Sequence, residues 1–173
     1  MRDSHTWAEL LLLAAECGAL RRVTFSKAGE ATGATGHRES QLVSTESLPK
    51  TIMALAGVDV GNAMIGENLL DVVEKKDDNR KNQVFAQISE SKVGRCIRTS
   101  DYLYAVYAPD KDGGLDMNSS VYADDYLYHL PTDPHQLVDV VADPAHSQAK
   151  AQLRQSLLAW IQEAEGIRAT ITD

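Results

Sequence analysis

Cysteine, histidine, aspartate and arginine side chains could do chemistry in this 173-residue chain, and their spacing narrows what that chemistry is. Cys17 and Cys96 lie 79 positions apart and form neither a disulfide framework nor a metal-ligand set. Cys96 reads as a small strand residue, with a bond to Cys17 as the lesser alternative. The histidines at 5, 37, 129, 135 and 146 show no ligand spacing and read as surface residues. No Gly-x-Ser-x-Gly elbow occurs, and the glycines between 29 and 36 make no phosphate-cradling loop before a helix. Residues 110–118 (DKDGGLDMN) look like a calcium loop, but an EF-hand starting at Asp110 needs Gly at its sixth position and Glu at its twelfth. Leu115 and Val121 stand there. Asp124-Asp125 reads as a solvated pair beside a strand, and Asn118-Ser119-Ser120 as a glycosylation triplet of little weight without a secretion signal. No catalytic or metal-binding residue is therefore assigned.

Charge removes further classes. Seventeen Lys and Arg are scattered among 25 Asp and Glu, a net charge of −8, so clustered phosphate contacts are not available and nucleic acid is not expected as a partner. The apolar run over 10–15 is flanked by Glu9 and Glu16, too short and too polar at its borders for a membrane span or signal peptide. No membrane is expected as a partner, and as written the chain is expected in the cytoplasm. A 43% apolar content suits one ordinary core.

The elements are legible in part. Residues 83–109, QVFAQISESKVGRCIRTSDYLYAVYAP, read as three strands joined by polar turns, the second a tight hairpin at Ser100-Asp101. Tyr126 to Leu130 supplies a fourth. Asp143-Pro144 opens a helix over 145–165, where Leu153, Leu157, Trp160, Ile161 and Ala164 form an apolar stripe that Gly166 ends. Trp160 and Leu157 are expected against the sheet, and Lys150 and Gln162 in water. Upstream, Thr6-Trp7-Ala8-Glu9 has capping-box spacing and suggests a helix over 5–17, followed by a strand at 22–26 and a mobile connection over 29–40. Leu48, Ile52, Leu55 and Ala56 fall on one face of a short helix that starts near Pro49. The fold class predicted is α+β: a four-stranded antiparallel sheet over 83–130 covered by a long C-terminal helix and preceded by short helices. Residues 1–40 form an N-terminal helix, strand and linker, and 41–173 the main subdomain.

These segments carry a resemblance. The run FAQISESKVGRCIRT followed by Tyr-x-Tyr (Phe85 to Tyr104) resembles the C-terminal subdomain of type I, formylglycine-dependent sulfatases of the alkaline phosphatase superfamily. So do LVSTESLPKTIMALAGVDV over 42–60, MIGENLLDVV over 64–73 and DDYLYHLPTDPHQLVDVVADP over 124–144, in the family's order. The family's Asp-Leu-x-Pro-Thr helix start is Glu-Ser-Leu-Pro-Lys-Thr over 46–51. Where the family has a Trp-x-Lys element whose lysine contacts sulfate, the nearest match is Trp7-Ala8-Glu9, an acid in place of the cation.

The resemblance implies a sulfuric ester hydrolase portion that is catalytically incomplete alone. The Cys-x-Pro-x-Arg motif that yields the nucleophile is absent: Cys17 is followed by Gly-Ala-Leu-Arg and Cys96 by Ile-Arg-Thr-Ser. Family enzymes use one divalent metal, usually calcium, held by residues this chain lacks, so no cofactor is expected here, although full-length relatives are often exported. The resemblance makes Glu90, Ser91, Arg95 and Arg98 candidates for the rim of a substrate cleft, since a turn and a strand offering two guanidinium groups suit an anion. The alternative is two strand arginines facing solvent and pairing with acids nearby. The implied partner is a catalytic domain, or a second copy of the chain through an exposed apolar face. The competing function is a non-catalytic protein-interaction or self-association module.

Overall fold

The four consecutive leucines, Leu10 to Leu13, belong to a strand. In the computed structural model, which describes residues 8–14, 19–27, 40–74 and 81–173, β1 (Ala8–Ala14) pairs antiparallel with β2 (Ala19–Lys27), from Ala8 opposite Lys27 to Ala14 opposite Leu20. This corrects the helix expected over 5–17. A short continuous apolar run has neither the helical nor the strand period, so the neighbouring strand decides its state. The strand expected at 22–26 lies within β2. His5, Trp7, Cys17, His37 and all of the 29–40 connection except Ser40 fall outside the described residues.

The chain divides into two units, Met1–Asn82 and Gln83–Asp173. In the first, β3 (Val43–Ser44) adds antiparallel to β2, and α1 (Ser47–Leu55) precedes α2 (Leu69–Val73). The face that α1 buries is Ser47 and Thr51, while Ile52 is 54% exposed, which corrects the apolar face expected through Ile52. Hydroxyls do the joining. Ser47 Oγ accepts from Glu67 N, and Thr51 Oγ1 donates to Ser47 O at 2.7 Å while accepting from Leu69 N at 2.9 Å. Asn68 caps α2 by accepting from Leu70 N. Val43, Leu69 and Val72 form the small core, with Leu48 against it. Gly66, at φ +87, lets this backbone pass so close to α1 that a Cβ would meet Glu46 C at 2.8 Å and Ser47 Cα at 2.9 Å. Thr51→Val should therefore strip the buried Leu69 amide of its acceptor and cost about 1–3 kcal/mol in urea denaturation; an unchanged midpoint would mean the hydroxyl is not what joins the helices.

The second unit holds a five-stranded mixed sheet in the order β4 (Val84–Ser89), β5 (Val93–Arg98), β6 (Tyr102–Tyr107), β7 (Val121–His129) and β8 (Thr170–Thr172). The first four are antiparallel neighbours as expected, because short polar turns leave no room for crossovers. The fifth corrects the prediction of four. β8 runs parallel to β7, Val121 opposite Thr170, with α3 (Ser147–Glu165) as the crossover that parallel pairing needs. Three residues after a helix cap carry too little pattern to be read as a strand.

A 3-10 turn, Pro144–His146, capped by Asp143, precedes α3, and Gly166 ends it in the left-handed conformation. Leu153, Leu157 and Ile161 bury against Val93, Ile97, Tyr104, Val106, Tyr122 and Leu127 on one face of the sheet. Leu157 lies against the sheet as expected. Trp160 is only half-buried, stacked on Phe85 with ring centroids 6.1 Å apart, and Gln162 is in water. Lys150 is not, as the charge clusters on this face make clear. Among the described residues no helix is long and apolar enough to cross a membrane.

Candidate functional site

Asp124 is the residue that sequence reading placed wrongly. Expected to be solvated, its side chain is 9% exposed on the helix-facing side of β7, opposite Val106. Oδ1 accepts from the Tyr104 hydroxyl at 2.5 Å and from Arg154 Nη2 at 2.9 Å, and Oδ2 accepts from Arg154 Nη2 and Lys150 Nζ, both at 2.9 Å. Four contacts occupy the roughly four acceptor sites a carboxylate has. Burial pushes its pKa up, but the hydrogen bonds from Tyr104, Lys150 and Arg154 outweigh it and hold the carboxyl below its ordinary value. The Tyr104 phenol is pushed up, first by burial and then by its bond to Asp124. Lys150 is thus a charge partner, 20% exposed, which corrects the expectation that it points into water.

Arg95 forms the second cluster. Its side chain is 1% exposed, and it grips Glu165 at the end of α3 through Nε to Oε1 at 2.5 Å and Nη2 to Oε2 at 3.0 Å. Nη2 also donates to Met117 O at 2.7 Å, and Nη1 to Gly94 O at 2.7 Å and Ile88 O at 3.4 Å, with the Tyr122 ring 5.8 Å below. The pairing with an acid was foreseen; the burial was not. The two clusters pin the body and the end of α3 to the sheet.

The four rim candidates do not converge. Arg95 and Arg98 are three apart on a strand, which puts them on opposite faces. Arg98 is buried opposite Val84 and Leu103, on the face away from α3. Glu90 and Ser91 are exposed in the turn between β4 and β5. That turn is joined by the loop between β6 and β7, whose Gly113 passes so close that a Cβ would meet Glu90 O and Lys92 N at 2.6 Å. Leu115 and Met117 of the loop are 85% and 78% exposed. Sequence reading missed Lys92, which pairs with Asp125 while its ammonium lies 5.7 Å and 5.5 Å from the Tyr107 and Tyr126 ring centroids. The signal lay in the consecutive acids: the register of β6 with β7 shifts here, leaving Asp125 as the extra residue of a bulge while Asp124 turns inward.

The loop over 110–118 closes on itself. Asp116 accepts from Asp112 N at 3.0 Å and pairs with Lys111, and these hold its carboxyl below the ordinary range. A divalent metal of the sulfatase kind does not fit these acids. Asp124 and Asp125 are neutralised by Lys150, Arg154 and Lys92, whose charges would repel it, and among the described residues no group of three or more ligating side chains could hold a metal.

No family model and no curated protein matches the chain. Solved structures do. One is yidJ of Bacteroides fragilis, a protein assigned to the sulfatases (TM-score 0.53, 18% identity, 68% of this chain and 24% of that one). BT4656, solved with its substrate D-glucosamine-2-N,6-O-disulfate, gives 0.55 and 20% over 69% of this chain and 24% of its own. BT1596, a 2-O GAG sulfatase, gives 0.51 and 24% over 68% and 24%. The chain therefore has a sulfatase C-terminal-like fold and spans 24% of the length of each of these sulfatase structures.

Proposed function

We propose that this chain serves as the C-terminal portion of a sulfuric ester hydrolase, supporting a catalytic domain without contributing its nucleophile or metal. The observation that carries this reading is the fold likeness over about two thirds of the chain, joined to a sequence that holds no Cys-x-Pro-x-Arg motif. Its buried acids are already neutralised inside the fold, which suits support and not hydrolysis. Glu90 and Ser91 would sit at the rim of the substrate cleft. Arg95 and Arg98 would act behind them, Arg95 by fixing the strand and loop from which the rim projects. Since two of the similar structures are named for sulfated sugars, a sulfated sugar is the substrate class to test first.

The chain alone should show no hydrolysis of an aryl sulfate or of glucosamine 6-sulfate with calcium present, and no calcium binding by calorimetry. Turnover that a chelator abolishes would overturn the reading.

A second reading, a protein-interaction module without catalytic partner, draws on the exposed Leu115, Met117, Leu137 and Val138, the last two 80% and 60% exposed. A chain that stays monomeric across concentrations in analytical ultracentrifugation and binds no apolar dye would remove it.

A further inference from the structure

Among the described residues the outer edge of β4 has no strand beside it. Ala108 N donates to Val93 O and Thr99 N to Tyr102 O, so the odd-numbered positions of β5 and of the residue after it turn their backbone groups toward β6. Antiparallel alternation leaves Gly94, Cys96 and Arg98 for β4, where they meet Ile88, Ala86 and Val84. The N–H and C=O groups of Phe85, Gln87 and Ser89 therefore point away from the sheet. Among the described residues no strand pairs with them.

Proteins usually blunt such an edge with a lysine, a proline or a bulge. β4 has none of these: Val-Phe-Ala-Gln-Ile-Ser is uncharged, and its register with β5 runs without a shift from Val84 to Ser89. Gln87, Ile88 and Ser89 are exposed, Ile88 at 42%.

We infer that β4 pairs antiparallel with β4 of a second copy of this chain, so that the two sheets join into one. Charge selects this occupant. A net charge of −8 on each copy opposes association elsewhere on the surface, so the contact is confined to the uncharged β4 and the opposite charges at its two ends. A two-fold axis at Ala86 sets Phe85 opposite Gln87 of the second copy, so their outward groups exchange both hydrogen bonds. The same axis brings the Lys81 approach to the strand beside Glu90 of the second copy, opposite charges meeting at each end. Helices α3 of both copies then lie on the same face, and the half-buried Phe85 and Trp160 stack borders the junction. The pairing uses the backbone of β4 and the charges at its ends, and it does not rest on the apolar loops or on the catalytic domain proposed above.

Analytical ultracentrifugation of the full chain tests it, with circular dichroism to verify folding. The wild type should sediment as a two-chain species that dissociates on dilution. Gln87→Pro removes an outward N–H that the β4–β5 ladder does not use, and should give one-chain species with the native spectrum. Gln87→Lys, a second variant that asks less of the backbone, sets two ammonium groups near the axis and should also give one-chain species. A wild type that stays monomeric at every concentration would overturn the inference, and so would a dimer that survives Gln87→Lys.

Discussion

Asp124→Ala should destabilise the chain by about 3 kcal/mol in chemical denaturation, because it removes the buried anion that joins two cations and a phenol and leaves Lys150 and Arg154, among the described residues, only the exposed Asp173. The pH dependence follows from the direction of the shifts. The Asp124 carboxyl is held lower in the folded chain than in the unfolded one, so its stabilisation is present above the unfolded value of about 3.9 and is lost as pH falls through the folded value. Asp124→Asn should flatten that acid limb. Tyr104 runs the other way. Its phenol is raised, so its share is complete below the unfolded value of about 10 and declines as the pH rises above it. Equal acid limbs in the wild type and Asp124→Asn would show that the carboxylate is not the group that titrates with unfolding.

Glu165→Ala should cost a similar amount, about 3–5 kcal/mol, since it strands the Arg95 guanidinium, 1% exposed, without its counter-ion. Replacing both partners, Arg95→Met with Glu165→Leu, should cost far less than the single change, because the penalty arises from an uncompensated buried charge and not from the loss of the pair itself. A double variant as damaged as Glu165→Ala would show that packing, and not charge, holds the end of α3.

The sheet and its covering helix were legible because period-two runs and an apolar stripe at 4, 7 and 8 leave few alternatives. What was not legible came from elsewhere in the chain. Leu10 to Leu13 has no period, so only pairing with β2 identifies it as a strand. Thr170 to Thr172 is a strand because α3 returns the chain to the exposed side of β7. Ser47 and Thr51 look like surface residues, yet they accept the amides that Gly66 brings within reach. Among the site candidates, the separation of Arg95 from Arg98 was available from their spacing. The burial of Asp124 was not, for it depends on Tyr104 of the neighbouring strand β6 and on Lys150 and Arg154 one helical turn apart. Local reading sees an acid pair at a strand; the fold turns one acid in and the other out.

The claim on which the rest depends is that the buried acids Asp124 and Glu165 are spent on holding α3 to the sheet and are not free for a ligand or a reaction. The most direct measurement is the titration of the Asp124 carboxyl carbon by nuclear magnetic resonance in the intact chain. The clamp predicts a midpoint below the ordinary aspartate value of about 3.9, unchanged by calcium. A midpoint at or above that value, or one that moves when calcium is added, would describe a solvated or ligand-binding acid and would contradict the account.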